Sequence, residues 1–578
     1  MLIAAVVIAS TTMSAANLDT RRKALSDLIE EQWQYTLRTS PEFASILGDK
    51  RYNDKSSDYS PAAIKAQAEK TRDFLRRAEA IGTTGFSDTE KVNKALFVRN
   101  QRESIESYEG KDWEMPVNQM DGIHLNAAQF PSMLSFTSAK DYADFLTRLR
   151  NFPKQVDDTI TDMRLGMRGQ LMPPKFLLAK VADQATAIAS TKPEESPFAI
   201  PLKNFPASIA ESDRTTIRDQ YLDAIANVVF PAYRKFATFV RDEYAPAGRN
   251  EVGVWSLPDG AKRYARMVRH STTTNLTPDE IHEIGLREVS RIEADMLAIA
   301  KHFGFTDLKS FNAAVDKNPE LRPKSREAIL DIYRGYIDQM YAQLPKLFGR
   351  LPKAKLEVVP VETFREKEAA SASYESPAPD GSRPGRVYVN TYAPESRKVI
   401  FMESTAYHEG VPGHHMQIAI AQELPDLPEF RRQGGYTAYV EGWALYSERL
   451  GKELGFYQNP YVDYGRLNDE MLRAIRLVVD TGLHAKKWTR DEVVQFFHDR
   501  SATDEVEVQS ETDRYIVWPG QALGYKIGQL KIIELRERAK QKLGDRFDIR
   551  EFHDEALGAG ALPMDVLEQR IDAWLNAK

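Results

Sequence analysis

TPDEIHEIGLREVSRIEADMLAIAKHF, residues 277–303, sets the fold class. Apolar residues recur at Ile281, Ile284, Val289, Ile292, Met296 and Ala300, the spacing of one face of a helix with 3.6 residues per turn. Thr277 stands as a cap, Pro278 takes the first turn, and Asp279 and Glu280 sit near the positive end. The pattern predicts a helix over 278–303. The same periodicity predicts helices over 18–39, 61–80, 141–167, 213–244 and 325–344, the last stopped by Pro345. Stretches rich in Pro, Gly and Ser near 168–206 and 245–260 read as loops. A mainly α protein is expected.

One region breaks this rhythm. Leu356–Glu362 and Arg386–Thr391 are β-like, rich in β-branched and aromatic residues, with a Pro/Gly/Ser-rich turn at 376–385 between them. They predict a small antiparallel sheet with Tyr388 on an edge strand. An exposed edge receives an extended peptide through main-chain hydrogen bonds.

Composition narrows the chemistry. The 578 residues are 42% hydrophobic and 28% charged, with net charge −6 and no cysteine. Such a chain is globular and can bury a large core. No basic stripe or arginine-rich tail suggests nucleic acid as a partner. Without cysteine there are no disulfides, thiolate metal sites, cysteine nucleophiles or cysteine-borne lipid anchors, so a metal must be held by His and carboxylates. Residues 1–10 form an apolar run too short to cross a bilayer, followed by Ser14-Ala15-Ala16, the small-residue pattern of a cleaved export signal. We therefore expect a signal at 1–16, a periplasmic or extracellular mature chain, and one large domain over 17–578 with its chemistry in 355–565. No other segment reads as transmembrane. Oligomeric state is not encoded in any feature of the sequence.

Three of the ten histidines fall within eight residues, in His408-Glu409-Gly410-Val411-Pro412-Gly413-His414-His415. A hydrolytic zinc site needs two neutral imidazoles, a carboxylate, an open position and a general base. The usual one-helix arrangement is H-E-x-x-H, with its ligands four residues apart. Here Pro412 stands at that place. On a straight helix His414 would point about 120° away from His408, and His415 would lie about 10.5 Å along the axis. The helix over 403–423 must therefore bulge at Val411-Pro412-Gly413. Looping out two residues brings in His414; looping out three brings in His415. His414 is preferred because it needs the smaller distortion. The third ligand is expected from the helix over 435–448, where Glu441 and Glu448 share a face two turns apart. Glu441 is taken as ligand and Glu448 as a group orienting one.

Several motifs together resemble one family: YHEGVPGHHMQ at 407–417, EGWALYSE at 441–448, DTGLH at 480–484, RYIVWPGQALGYKIG at 514–528 and FHDEALGAGALP at 552–563. The chain resembles the bacterial family known as domain of unknown function 885, whose members are exported or lipid-anchored. That family is similar to helical zinc peptidases of the angiotensin-converting enzyme and thimet oligopeptidase type. The resemblance implies two helical lobes around a deep cleft and hydrolysis of short peptides. The interrupted H-E-x-x-H is where this sequence departs from those peptidases.

The expected chemistry follows from the parts. Zinc activates water and polarises the scissile carbonyl, and Glu409 moves the proton. Tyr525 is the favoured donor to the oxyanion, with Tyr515 as the other candidate. Arg514 and Lys526 are expected to hold a substrate carboxylate beside Tyr515. His484 and His553 are further candidate donors. The competing classes are a metal-dependent amidase or esterase on a non-peptide substrate, and a helical binding protein without catalysis. Glu409 argues against the latter.

Overall fold

The computed structural model describes residues 2–578 apart from 362–365, 367–368 and 379–382; the side chains of 2–16 are also outside the description. The expected signal therefore lies where no side chain is described, and Glu362 and part of the 376–385 turn lie outside it too. Among the described residues the chain is mainly helical with one small sheet. Among the described residues no helix is long and apolar enough to cross a membrane.

The helices follow from sequence as expected. Pro278–His302 begins with a capping box: Thr277 Oγ1 accepts from the Glu280 N–H, and Glu280 accepts from the Thr277 N–H at 2.8 Å. Leu2–Thr39, Pro61–Ala80 and Ala139–Arg168 cover three more of the expected helices. The 213–244 helix is present but contains two π-helical stretches, Ile225–Val229 and Val240–Tyr244. The first lies just before Pro231, whose missing N–H cannot bond four residues back.

Three expectations are corrected. The 168–206 region is not all loop, because it contains the helix Lys175–Ala189. Its Leu177, Leu178, Val181, Ala182 and Ala185 are buried at helical spacing, and the Pro and Ser residues lie only at its flanks. The 325–344 helix ends at Tyr341, and Pro345 sits in the first turn of a short helix, Leu344–Leu347, where its missing N–H costs nothing. The sheet is mixed rather than antiparallel. Strands β1 (Leu356–Pro360) and β3 (Gly385–Val389) pair in parallel, and β2 (Ala372–Glu375) pairs antiparallel with β3, giving the order β1-β3-β2. The long 361–384 connection returns the chain for the parallel pairing and supplies β2, which is too short to signal itself in sequence. Tyr388 is therefore on the central strand, and β2 is an edge.

The chain forms two compact units, Met1–Glu251 and Val252–Lys578. The first has an aromatic core including Tyr142, Phe145, Phe152, Tyr221, Tyr233 and Phe236. In the second, helix Thr437–Glu453 crosses helix Leu523–Leu543 at two glycines. A Cβ on Gly442 would lie 2.5 Å from Gly528 Cα, so the helix backbones touch at this point. That contact brings the start of one helix beside Glu441 on the other.

Candidate metal centre

The interrupted motif has a defined geometry. Helix Met402–Glu409 ends at Gly410, and helix His414–Gln422 begins after Gly413. The Gly413 N–H donates to the Tyr407 carbonyl at 3.0 Å, six residues back instead of four. Two residues are thus looped out, and His414 takes the place that a residue four after His408 has in a regular helix. Only glycine fits at 413, because a Cβ there would lie 2.0 Å from the His408 carbonyl oxygen. Trp443 pins the loop, its Nε1–H donating to the Pro412 carbonyl at 2.8 Å.

His408, His414 and Glu441 converge. Glu441 Oε2 is 3.6 Å from His408 Nε2 and 3.5 Å from His414 Nε2. Ligand atoms of the three residues lie within 4.8 Å of one another. Tetrahedral ligands about 2.0–2.1 Å from one ion stand about 3.4 Å apart, so this donor set fits a zinc ion. Glu448 Oε1 is 2.8 Å from His408 Nδ1. With Nδ1 held by Glu448, Nε2 is the ring nitrogen left to face Glu441 and His414. Burial opposes charge on His408, yet hydrogen bonds to Glu441 and Glu448 push its imidazolium up to about 10. Burial likewise opposes charge on Glu441, but hydrogen bonds from His408 and His414 hold its carboxyl well below the usual range. The cluster draws positive charge. His414 Nδ1 is buried without a hydrogen-bond partner among the described residues.

His415 points elsewhere. Its Nδ1 is 3.1 Å from the Tyr374 hydroxyl and its Nε2 is 3.2 Å from the Ala354 carbonyl oxygen. Burial lowers it to about 4, so it stays neutral.

A cavity of about 690 Å³ opens on the cluster. Glu409 and Tyr525 line it, together with Ala372, Ser373 and Tyr374 of β2. Tyr525 Oη lies 3.5 Å from Arg514 Nη2, and the Arg476 guanidinium sits 4.6 Å from the centre of its ring. Burial and the Glu441 charge raise the Tyr525 hydroxyl, against the pull of Arg476 and Arg514, so it remains a proton donor. Arg473, Arg476 and Arg514 all line the cavity, and each has one buried nitrogen without a partner among the described residues.

The structure does not bring two expected substrate-binding residues to this cavity. Lys526 is fully buried, its Nζ engaged by Glu470 at 2.6 Å, Gln529 at 2.8 Å and Glu288 at 3.0 Å. Those partners use all three of its protons. Tyr515 is also fully buried, bonded to Glu511 and to Arg476 Nε. The other two candidate histidines, His484 and His553, lie outside the cavity lining and have both ring nitrogens engaged. His484 accepts from the Val254 N–H and donates to the Tyr515 carbonyl. His553 bridges the Tyr446 hydroxyl and the Leu347 carbonyl. Asp480, at the head of the DTGLH motif, accepts from Tyr264 and from the Gly520 N–H. Tyr388 donates to Glu375. Sequence reading missed Asp469, Arg473 and Arg476, which line the cavity from helix Pro460–His484. Their spacing of four and three residues is a polar stripe on a largely apolar helix, and could have been found.

A mainly helical chain with a two-histidine, one-glutamate cluster behind a broken helix is the class defined so far. The chain belongs to the family described as bacterial protein of unknown function, DUF885, whose model matches residues 41–571. It is similar to a solved structure titled as the putative lipoprotein from Colwellia psychrerythraea, at 31% identity and TM-score 0.91, covering 96% of this chain and 100% of that one. A second, described as a putative lipoprotein of unknown function from Shewanella oneidensis, shares the fold at 16% identity and TM-score 0.73, covering 94% of this chain and 98% of that one. No curated protein matches.

Proposed function

We propose that the protein is an exported zinc metallopeptidase acting on short peptides. The observation that carries this reading is the convergence of His408, His414 and Glu441, with Glu409 beside them on the cavity wall. Zinc held there would supply a Lewis acid that activates water near neutral pH. Glu409, whose carboxylate has no hydrogen-bond or ion-pair partner among the described residues, accepts the water's proton and returns it to the leaving amine. Glu448 keeps the His408 ring oriented. Tyr525 donates to the developing oxyanion.

Two features favour a peptide. The β2 edge along the cavity offers main-chain hydrogen bonds to an extended chain. The Arg473, Arg476 and Arg514 cluster suits a C-terminal carboxylate, which favours a carboxypeptidase or an oligopeptidase that reads the substrate's end. Two helical lobes around a deep cleft are part of this proposal, and they limit substrates to short unfolded peptides. The description of the Colwellia relative favours export, as do residues 1–16. N-terminal sequencing of the protein from its host tests that part; a mature chain starting at Met1 would oppose it.

The activity is tested by mass-spectrometric mapping of products from a mixed peptide library, with and without a chelator. Chelator-sensitive cleavage supports the reading, and cleavage of an amide or ester panel with no peptide cleaved would replace it with a non-peptide hydrolase.

A further inference from the structure

The unit Met1–Glu251 contains a cavity of its own, of about 520 Å³, lined by residues between Glu42 and Phe198. That volume is within the range of small-molecule sites, about 300–1,000 Å³. Much of its wall is apolar, including Ile64, Ile123, Phe130, Phe145, Leu149 and Phe198.

Asp162 is set into this wall. It is 3% exposed, and its Oδ1 is buried with no hydrogen-bond partner among the described residues. A carboxyl buried in this way is costly unless something pairs with it. The cations beside its two acidic neighbours, Asp158 and Glu114, are paired with those carboxylates. Lys154 lies 2.6 Å from Asp158, and Lys111 lies 3.1 Å from Glu114. Arg148, the arginine on the cavity wall, donates to the carbonyls of Pro41, Tyr52 and Lys55 and to the Ser45 hydroxyl. The charges nearest Asp162 are acidic: burial first, then Asp158 and Glu114, push its carboxyl up to about 7. A site with an unpaired acid, acidic neighbours and aromatic walls is complementary to a cation on an apolar body.

We propose that this cavity binds an amphipathic organic amine, with its ammonium on Asp162 and its aryl or alkyl body against the phenylalanine and leucine wall. The proposal is independent of the metal centre. It assigns a second ligand site to the chain, and it gives Asp162 a partner that the fold itself does not supply.

The test is calorimetric titration of the full chain with 4-phenylbutylamine, 4-phenylbutan-1-ol and 4-phenylbutyrate. The three share one body and differ in the head group. The amine should bind at one site, about ten- to a hundredfold tighter than the alcohol, the range expected for a charge-assisted hydrogen bond. The carboxylate should bind weakest. Asp162→Asn is nearly isosteric, and it should bring the amine down to the affinity of the alcohol while leaving the alcohol unchanged. Absence of saturable amine binding, equal affinity for amine and alcohol, or amine binding unaffected in the Asp162→Asn variant would each overturn the proposal. If that variant does not fold, the ranking of the three probes on the unaltered protein still decides. A folded Ala127→Phe variant, which narrows the same cavity, should then lose amine binding.

Discussion

Glu448 Oε1 lies 2.8 Å from His408 Nδ1, two helical turns from Glu441, whose own carboxylate faces the other nitrogen of the same ring. One helix thus grips both sides of one imidazole. If His408 binds zinc, Glu448→Gln should keep one zinc per chain at saturation but weaken its affinity about 10- to 100-fold. Zinc titration against a competing chelator measures this. Unchanged affinity would leave Glu448 with a packing role only.

The two-residue bulge turns two adjacent histidines toward different neighbours, His414 to Glu441 and His415 to Tyr374 and Ala354. His414→Ala should abolish tight zinc binding without a large loss of stability. His415→Ala should retain zinc and lose stability, by about 1–3 kcal/mol, because it removes the contacts to Tyr374 and Ala354 from a fully buried site. Metal analysis together with thermal melting reads both. Zinc loss in the His415 variant alone would move the ligand by one residue.

If Arg473, Arg476 and Arg514 bind a substrate carboxylate, the C-terminal end of a peptide is the end that is read. Peptides with a free C-terminus should be cleaved with a lower KM than their C-terminal amides, and Arg514→Ala should erase most of that difference. Tyr525→Phe should instead lower kcat, by about 100-fold or more, with zinc retained. Equal KM for acid and amide substrates would exclude a carboxylate site at the arginines.

His553 predicts a contribution to acid sensitivity. Burial holds it at about 3, against an ordinary 6.5, with the Leu347 carbonyl opposing the shift. The unfolded chain takes up this proton first as pH falls. The stability due to neutral His553 is therefore complete above pH 6.5 and is lost progressively down to about pH 3, at about 1.4 kcal/mol per unit. Urea unfolding of the unaltered protein and of His553→Gln, compared between pH 7 and pH 4, should give curves that converge as pH falls. Parallel curves would mean that His553 is not held neutral.

The helices and the cluster were legible in sequence because both depend on spacing. Periodicity placed the 278–302 helix and its Thr277 cap, and the spacing of His408, His414 and Glu441 named the residues that converge. The parallel pairing of β1 with β3 was not legible, because strand direction depends on where a long connection returns, and local pattern does not record this. Lys526 and Tyr515 were misplaced for a related reason. A charged or hydroxylated residue in the 514–528 stretch reads the same whether its helix turns it toward a cavity or into a buried cluster. For Lys526 the crossing at Gly442 and Gly528 decides which face of helix Leu523–Leu543 meets Glu441, and Tyr515 lies on the separate helix Glu505–Val517, where Glu511 and Arg476 take its hydroxyl.

In the proposed function Glu409 is the base beside a zinc ion held by its neighbours, and this assignment carries the rest. It is tested most directly by measuring peptide hydrolysis and bound zinc in Glu409→Gln alongside the unaltered protein. The variant keeps the size and polarity of the side chain but cannot accept a proton. One zinc per chain is expected in both proteins, with a loss of about 100- to 10,000-fold in kcat for the variant. Full activity in Glu409→Gln, or activity in a verified metal-free protein, would contradict it.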